Sequence, residues 1–496
     1  MSKLLSIITL LLISSTFSRA QNDLDALRYS MLNYGSTARS LGMGNSFGAL
    51  GADFSSLSGN PAGIAVYRRS EFTFSPMFSN RTTNANYLGQ DISDNSFKFS
   101  FGNLGMVWAS NRDQSSSNWK GVAFGIGYNR TNDFNGRYTA SAGNPMHSLL
   151  DNYLEALNGV DPNDIPSYYP FDVDLAWQTY LIDEKIDSVN GNSYFSVLDN
   201  AGALQTKTVE TKGGQGEWDF TFGGNYDERL YLGFTLGIAS LRYEEESTWE
   251  EKDHKDTILG FSSFQYNQDL KTSGSGINLK FGLIYRPVDA IRIGFAIHSP
   301  TWYTLVDKYS ASIKTDLQDG NIRSYAGPEF IPFDYKITTP FRVMTNFALI
   351  LGKSAALNVD YEYLNYSEAR VKPVDRSFSA DFNPVNNAIR KKYAGSHNLR
   401  AGVEFRVEQF RFRTGGFYST SPFKSELQES SDNDLSRVGL TGGFGMREKK
   451  WYFDIGYSWS QQGSFMQPYT LNNQTTEGIT LKETTHRVLT TFGFIF

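Results

Sequence analysis

The chain has 496 residues, of which 15% are aromatic, with no cysteine and a formal net charge of −6. The absence of cysteine excludes disulfides, thiolate metal sites and thiol nucleophiles. The mild negative charge argues against a nucleic-acid partner, and the five scattered histidines argue against a histidine-built metal site. The composition therefore predicts neither a metal nor another cofactor.

The N-terminus has the pattern of a secretory signal. Lys3 supplies a positive charge, residues 4–13 form a mainly apolar core, and Ser18-Arg19-Ala20 is a small-x-small cleavage site. We expect a signal peptide over residues 1–20, cleaved near Ala20; because Gln21 follows, a lipoprotein-type signal is excluded. No later stretch of about 18 apolar residues occurs, which excludes a bundle of transmembrane helices.

From residue 71 onward, apolar residues recur at every second position in short runs. In the last run Val488, Phe492 and Phe494 share one face, whereas Thr491 and Gly493 lie on the other. Side chains alternate across a strand, and short turns alternate with long loops along the chain, as outer-membrane barrels require. We expect an all-β fold: a transmembrane antiparallel β-barrel of about fourteen strands over residues 71–496. A soluble β-sandwich is the alternative, but it buries its apolar face and needs fewer strands.

Two regions interrupt the alternation. Residues 141–215 are too long for a loop without structure of its own. Apolar residues at helical spacing predict a helix in 146–157, and residues 171–182 are a candidate for a second. We expect this partly helical insertion to be extracellular. The second interruption is at Gly102–Asn103, where the apolar phase changes from odd to even positions, which predicts a β-bulge or bend.

Residues 21–70 do not alternate and are rich in glycine and small residues. Such residues permit tight bends and close approach of the backbone. This segment is predicted to fold inside the barrel as a hatch. It contains a Gly44-x-Ser46-x-Gly48 pattern, but the strand, helix and following histidine and acid of a nucleophile elbow are missing, so no enzyme activity is predicted.

Several motifs resemble the FadL/TodX family of outer-membrane transporters for long-chain fatty acids and aromatic hydrocarbons. They are residues 37–44 (TARSLGMG), 60–63 (NPAG), 294–301 (GFAIHSPT), 339–342 (TPFR) and 360–367 (DYEYLNYS). The resemblance covers nearly the whole mature chain and implies a fourteen-stranded barrel with an N-terminal hatch.

The resemblance also implies roles for particular residues. Asn60, Pro61 and Ala62 match the Asn-Pro-Ala motif of the family's hatch and are the candidate gating residues. The insertion at 141–215 corresponds to an element that carries a ligand-collecting groove. Gly102 and Asn103 are candidates for the strand kink that opens the wall sideways in the family.

Charged residues are predicted to face the lumen at ten positions: Arg292, Arg342, Arg400, Arg406, Arg411, Arg413, Asp360, Glu362, Glu404 and Asp454. Two interpretations stay open. The charges pair with one another and with the hatch, or one of them binds a ligand carboxylate through a charge-assisted hydrogen bond. Arg342 and Arg400 are the candidates for the second role.

The leading functional hypothesis is passive uptake of hydrophobic small molecules across the outer membrane of a Gram-negative cell. The expected partners are the ligand, outer-membrane lipid and lipopolysaccharide, and the barrel-assembly machinery, which would read the terminal Phe496; the protein is expected to be a monomer. An alternative from the same fold family is a shuttle barrel in protein secretion, whose outer loops bind protein. A barrel phospholipase would need a rim histidine, but His298 is predicted to face the lumen. A general porin is disfavoured because a hatch would block it.

Overall fold

A computed structural model of the chain describes residues 23–33, 37–111, 117–185, 192–198, 202–329, 332–374, 381–428, 434–472 and 474–496. The predicted signal peptide lies outside the described residues. The predicted fold class is confirmed, since the described strands form a closed antiparallel barrel of 14 strands. The first strand pairs with the last, and Glu71 lies opposite Ile495, so the sheet has no free edge.

The strands follow one another around the barrel, and four of them consist of two or three segments. They are β1 Glu71–Tyr87, β2 Gln90–Asn111, β3 Trp119–Asp133 with Gly136–Asn144, β4 Ala203–Tyr226, β5 Leu230–Lys252, β6 Ser263–Val288, β7 Ile291–His298 with Trp302–Asp316, β8 Ile322–Ala326 with Phe333–Thr338 and Arg342–Leu351, β9 Ala355–Asn365 with Arg370–Pro373, β10 Gly395–Val407, β11 Phe410–Ser419, β12 Arg437–Arg447, β13 Trp451–Met466 and β14 Ile479–Ile495.

Strands β4, β5 and β6 have 24, 23 and 26 residues, well beyond the roughly 9–11 that cross a bilayer. Residues 203–215, which the sequence assigned to the insertion, are therefore part of β4. The insertion without barrel strands lies between Asn144 and Ala203. The boundary was misplaced because the outer part of β4 stands above the lipid, where its outward face is polar and no apolar alternation marks it.

Helices lie before the barrel and in its long loops. They are α1 Asp23–Ser30, α2 Ala38–Gly42, α3 Leu149–Leu157, α4 Ile165–Tyr168, α5 Val173–Gln178, α6 Asn383–Lys392 and α7 Ser425–Gln428, with 3-10 turns at Phe54–Leu57, Pro61–Val66, Pro162–Asp164 and Tyr366–Glu368. Helices are thus present in both predicted parts of the insertion, whereas α6 was not predicted. A short hairpin pairs Ile182–Lys185 with Ser193–Ser196. None of the helices in the described ranges is long and apolar enough to cross a membrane.

The two ends of the barrel differ. The end that carries the C-terminus, here called the inner end, has short turns; the opposite, outer end carries the insertion. One outer connection is short, where a long loop was expected. The two residues Leu88 and Gly89, both with positive φ, join β1 to β2. At the outer end α3 and α5 pack Leu150, Tyr153 and Leu175 into one buried cluster with Trp249 and Phe264 of the wall. This cluster is called the outer cap below.

Candidate functional site

Residues 37–66, called the N-terminal segment below, lie against the inward face of the barrel. The backbone N–H of Ala38 donates to Thr491 Oγ1 at 2.7 Å, and that of Gly44 donates to Thr441 Oγ1 at 2.9 Å. The N–H groups of Phe47 and Gly48 both donate to Asp360 Oδ2, at 2.7 and 3.0 Å. Polar side chains of β9, β12 and β14 therefore satisfy backbone groups of a buried irregular segment, as buried backbone requires.

Inward-facing glycines of the wall make room for this segment. A Cβ atom on Gly402 would collide with the carbonyl of Met43, and one on Gly233 would collide with the backbone of Pro61. A Cβ on Gly456 would lie 2.6 Å from the carbonyl oxygen of Ala38. The small-residue face that the alternation showed in these strands is thus the surface on which the N-terminal segment packs.

The predicted gating residues lie in the middle of this interface. Asn60 is 2% exposed, and its Oδ1 accepts from the N–H of Ala62 at 3.2 Å, which caps the 3-10 turn Pro61–Val66. Its Nδ2 donates to Gly48 O at 2.8 Å and to Asn346 Oδ1 at 3.2 Å. One side chain therefore joins two parts of the segment and ties both to β8.

The inward charges pair extensively with one another. Glu362 accepts from Arg342 at 2.7 Å and from Arg400 at 2.6 Å, while Arg342 also donates to the carbonyl of Ser30. Glu404 pairs with Arg39 of the N-terminal segment and with Arg413 at 2.9 and 2.7 Å. The pairing interpretation thus has direct geometric support, and the carboxylate-binding role of Arg342 and Arg400 stays a prediction.

A small polar cavity separates the N-terminal segment from β10–β14. Its volume is about 60 Å³, enough for a few water molecules but too small for a long-chain ligand. Arg400, Arg437 and Arg487 line it together with Asn33 and Asn45. Sequence reasoning missed Arg437 and Arg487, although both have the inward phase of their strands.

An apolar layer rich in tyrosine lies between this cavity and the outer cap. Its members include Leu27, Tyr29, Phe134, Tyr243, Tyr303, Tyr335, Tyr366 and Tyr393, and it is called the tyrosine chamber below. Helix α1 occupies it: the ring of Tyr29 lies edge-on to those of Phe134 and Tyr243, each at 6.1 Å between centroids. Asp23 at the start of α1 binds Lys392 of α6 at 3.0 Å.

The wall is interrupted between β2 and β3. β2 pairs with β1 along its whole length but with β3 only from Asn103 to Asn111, whereas the outer half of β3 pairs with β4 alone. The β1–β2 register shifts at Ser75, which faces Asn103 while Pro76 faces Phe101, so the bulge predicted at Gly102 is present. The bulge keeps the apolar residues on both sides of it outward, which explains the change of phase.

A buried carboxyl helps to fix the outer cap to the wall. Glu251 accepts from Ser148 Oγ at 2.7 Å, from the N–H of Leu149 at 2.8 Å and from Trp249 Nε1 at 2.9 Å. It thereby holds the first turn of α3 in place. Burial raises the pKa of Glu251 to about 7 despite these donors.

Comparison with solved structures supports the fold. A FadL homologue of Pseudomonas aeruginosa matches with a TM-score of 0.54 and 11% identity over 94% of this chain and 99% of its own. The toluene transporter TodX of Pseudomonas putida gives 0.51 and 11% over 94% and 100%, and the toluene transporter TbuX of Ralstonia pickettii gives 0.50 and 13% over 93% and 98%. No protein-family model matches the chain, and no curated protein is significantly similar to it in sequence.

The fold and its filled interior define a class: a transmembrane β-barrel with an N-terminal segment packed inside. Within that class the chain has the FadL/TodX-type fold, and the resemblance seen in the sequence is confirmed at the level of the fold.

Proposed function

We propose that this protein is an outer-membrane channel for the passive uptake of hydrophobic small molecules. The observation that carries the proposal is the tyrosine chamber, an apolar layer inside the lumen beneath an outer cap. A hydrophobic ligand gains about 25 cal/mol per Å² of apolar surface that leaves water, so such a layer is a favourable station between the cell exterior and the membrane. Long-chain fatty acids and aromatic hydrocarbons are the candidate ligands.

Passage through this lumen requires a rearrangement. The cavity beside the N-terminal segment has a volume of about 60 Å³, and the chamber is occupied by α1. We propose that the insertion collects the ligand at an outer groove and that the segment around Asn60, Pro61 and Ala62 acts as a movable hatch. Because the segment packs directly on Gly233, Gly402 and Gly456 of the wall, its displacement is what would open a path.

The ligand has two exits in this proposal, into the periplasm or sideways through the wall. The stretch of β2 above Asn103, which pairs with β1 but not with β3, favours the sideways route, since no β2–β3 hydrogen bonds need to be broken there. The exposed side chains of Phe97, Phe99 and Phe101 on the same stretch would present an apolar surface to a ligand that enters the lipid.

For a ligand with a carboxylate, Arg400 is the better placed of the two predicted contacts. Both arginines line the cavity, but Arg342 is 5% exposed and is held by Glu362 and the carbonyl of Ser30, whereas the side chain of Arg400 is 16% exposed. A bound carboxylate would compete with Glu362 for Arg400.

The primary test is mass spectrometry of organic extracts from protein purified in a detergent that does not resemble lipid, followed by uptake of the identified compound into proteoliposomes. A fatty acid or aromatic compound in near-stoichiometric amount that the protein also transports would support the proposal. An empty barrel that transports neither class, and instead retains a secreted protein, would replace it with the shuttle hypothesis.

The hatch is tested by Asn60→Ala. The substitution removes the cap of the 3-10 turn and leaves the buried hydrogen-bond partners of Asn60 unsatisfied. We expect this to weaken the docking of the segment by about 1–3 kcal/mol. We expect uptake to fall while the strand content measured by circular dichroism stays constant. Asn86→Ala removes an exposed hydrogen bond to Asp91 and serves as the control. Unchanged uptake by Asn60→Ala would exclude a gating role.

A further inference from the structure

At the inner end of the barrel two arginines face each other across neighbouring strands. In the β10–β11 register Arg406 lies directly opposite Arg411. Both belong to the inward face, since Arg406 alternates with Glu404 and Arg411 with Arg413, which are buried in the lumen. Like charges directly opposite one another destabilise a sheet, so this pair calls for a compensating negative charge.

The pair lies in a basic cavity. Arg39, Lys353, Arg406, Arg411 and Arg447 line the cavity, and Glu404 is the acidic residue among the lining side chains. The cavity has a volume of about 370 Å³ and opens at the inner end, which is room for a small anion or a ligand head group. This cavity is called the inner basic cavity below.

Glu404, the carboxylate that lines the cavity, and Glu71 near Arg447 are already engaged. Glu404 accepts from both Arg39 and Arg413, and Glu71, which lies towards Arg447, accepts from the hydroxyl of Tyr452 at 2.7 Å. In the described part of the chain Arg406, Arg411, Arg447 and Lys353 form no ion pair. The side chains of Arg406 and Arg411 donate to the carbonyl oxygens of Glu408 and Phe410.

We propose that the inner basic cavity is a binding site for a small anion bearing a carboxylate or phosphate group. Guanidinium groups bind both through paired, charge-assisted N–H···O bonds. The concave site lies on the inward face, which favours a small anion over a folded protein. The proposal is independent of the uptake function, because a free anion and the head group of an amphiphile have the same recognition chemistry.

Binding there would be linked to the N-terminal segment. Arg39 in α2 reaches Glu404, donates to Ala52 O at 3.2 Å and lies over the ring of Phe47 at 4.7 Å. An anion in the cavity would compete with Glu404 for Arg39 and would thereby act on the contact between α2 and the wall.

The test is titration calorimetry of the full-length protein in a non-ionic detergent at low salt, with inorganic phosphate and with decanoate as separate probes and decanol as the uncharged control. Two single variants, Arg411→Gln and Arg406→Gln, each remove one member of the pair. Arg229→Gln removes an exposed charge from another inner turn, outside the cavity, and is the matched control. Circular dichroism checks that every variant is folded.

We expect the wild type and Arg229→Gln to bind the anion with similar affinity. In Arg411→Gln and Arg406→Gln the affinity should fall about tenfold or more, which corresponds to the loss of one charge-assisted hydrogen bond. Binding of both phosphate and decanoate, with none of decanol, identifies a general anion site; binding of decanoate alone identifies an amphiphile head group. Equal affinities in wild type, both pair variants and the control would overturn the proposal, as would binding of decanol as tight as that of decanoate.

Discussion

Glu251 is the main residue expected to make the stability of the outer cap depend on pH. Its carboxyl is fully buried and accepts hydrogen bonds from Ser148, Leu149 and Trp249. Burial raises its pKa from 4.5 to about 7, so the protonated form is favoured in the folded state. The contribution of this residue to the free energy of unfolding is therefore largest below pH 4.5 and is lost as the pH rises to about 7.

We therefore predict that the outer cap loosens as the pH rises from about 4.5 to 7, by roughly 3 kcal/mol at most. The measurement is hydrogen exchange of the α3 amides, corrected for the intrinsic pH dependence. Glu251→Gln should abolish most of the effect, with the remainder due to Asp172, whose pKa burial raises to about 6.

Glu250→Gln is the control for this experiment, because Glu250 occupies the opposite face of β5 and should leave the pH dependence intact. A cap whose protection is constant from pH 4.5 to 8 in the wild type would show that the hydrogen-bond donors around Glu251 outweigh its burial.

The alternation predicted the inward direction of the lumen charges but not their partners. Arg39 and Glu404 are separated by 365 positions, and Arg342 reaches a carbonyl 312 positions away. Such pairs depend on how the sheet closes into a barrel and on where the N-terminal segment docks. The alternation of apolar and polar residues along a strand predicts neither. The two interpretations of Arg342 and Arg400 could not be separated from sequence for this reason.

At the scale of single elements, the packing of α2 on the wall depends on wall glycines, which have no side chain. We predict that Gly402→Ala displaces residues 37–50, because its Cβ would collide with the backbone of Met43; overpacking of this kind costs about 1–3 kcal/mol. Limited proteolysis and hydrogen exchange of this segment are the measurements, and the barrel strands should stay protected.

Gly442→Ala is the matched substitution, since the nearest atom to its Cβ would be the carbonyl oxygen of Arg413 at 3.9 Å. It should behave like the wild type. If residues 37–50 were as strongly protected in Gly402→Ala as in Gly442→Ala, the segment would have room to shift within the barrel.

Helix α6 shows what element-level prediction misses. Its sequence, NPVNNAIRKK, has only Val385 and Ile389 as buried apolar residues, too few to stand out from a polar loop. The helix is held by contacts with the tyrosine chamber and by the bond from Lys392 to Asp23. Tertiary packing, rather than periodicity, decides such short helices.

The whole barrel was the most predictable part of the molecule. Lipid on one side and a crowded lumen on the other force every strand to alternate, so strand number and direction follow from the sequence. The interruptions at residues 299–301 and 339–341 do not follow, although both lie in the motifs that carried the family resemblance. The two interruptions contact each other, since the N–H of Thr301 donates to Thr339 Oγ1 at 2.8 Å, and only the assembled barrel shows this contact.

For the whole molecule we predict that deleting residues 21–68 opens a water-filled path. The deletion removes the segment that fills the lumen and α1 from the tyrosine chamber, but no barrel strand. Single-channel recordings in planar bilayers should show a clear rise in conductance over the full-length mature protein. A conductance equal to that of the full-length protein would mean that the outer cap alone seals the barrel.

The N-terminal segment touches both the early and the late strands, and this constrains the order of folding. The turn Pro61–Val66 packs on β4, β5 and β6, whereas α2 packs on β12, β13 and β14. Its second half can therefore dock while the sheet is still open, but α2 must wait until the last strands arrive and β14 closes on β1. Pulse-labelling during refolding should find the amides of residues 61–66 protected before those of residues 38–42. The reverse order would mean that the seam between first and last strand forms around an empty lumen, which the segment enters afterwards.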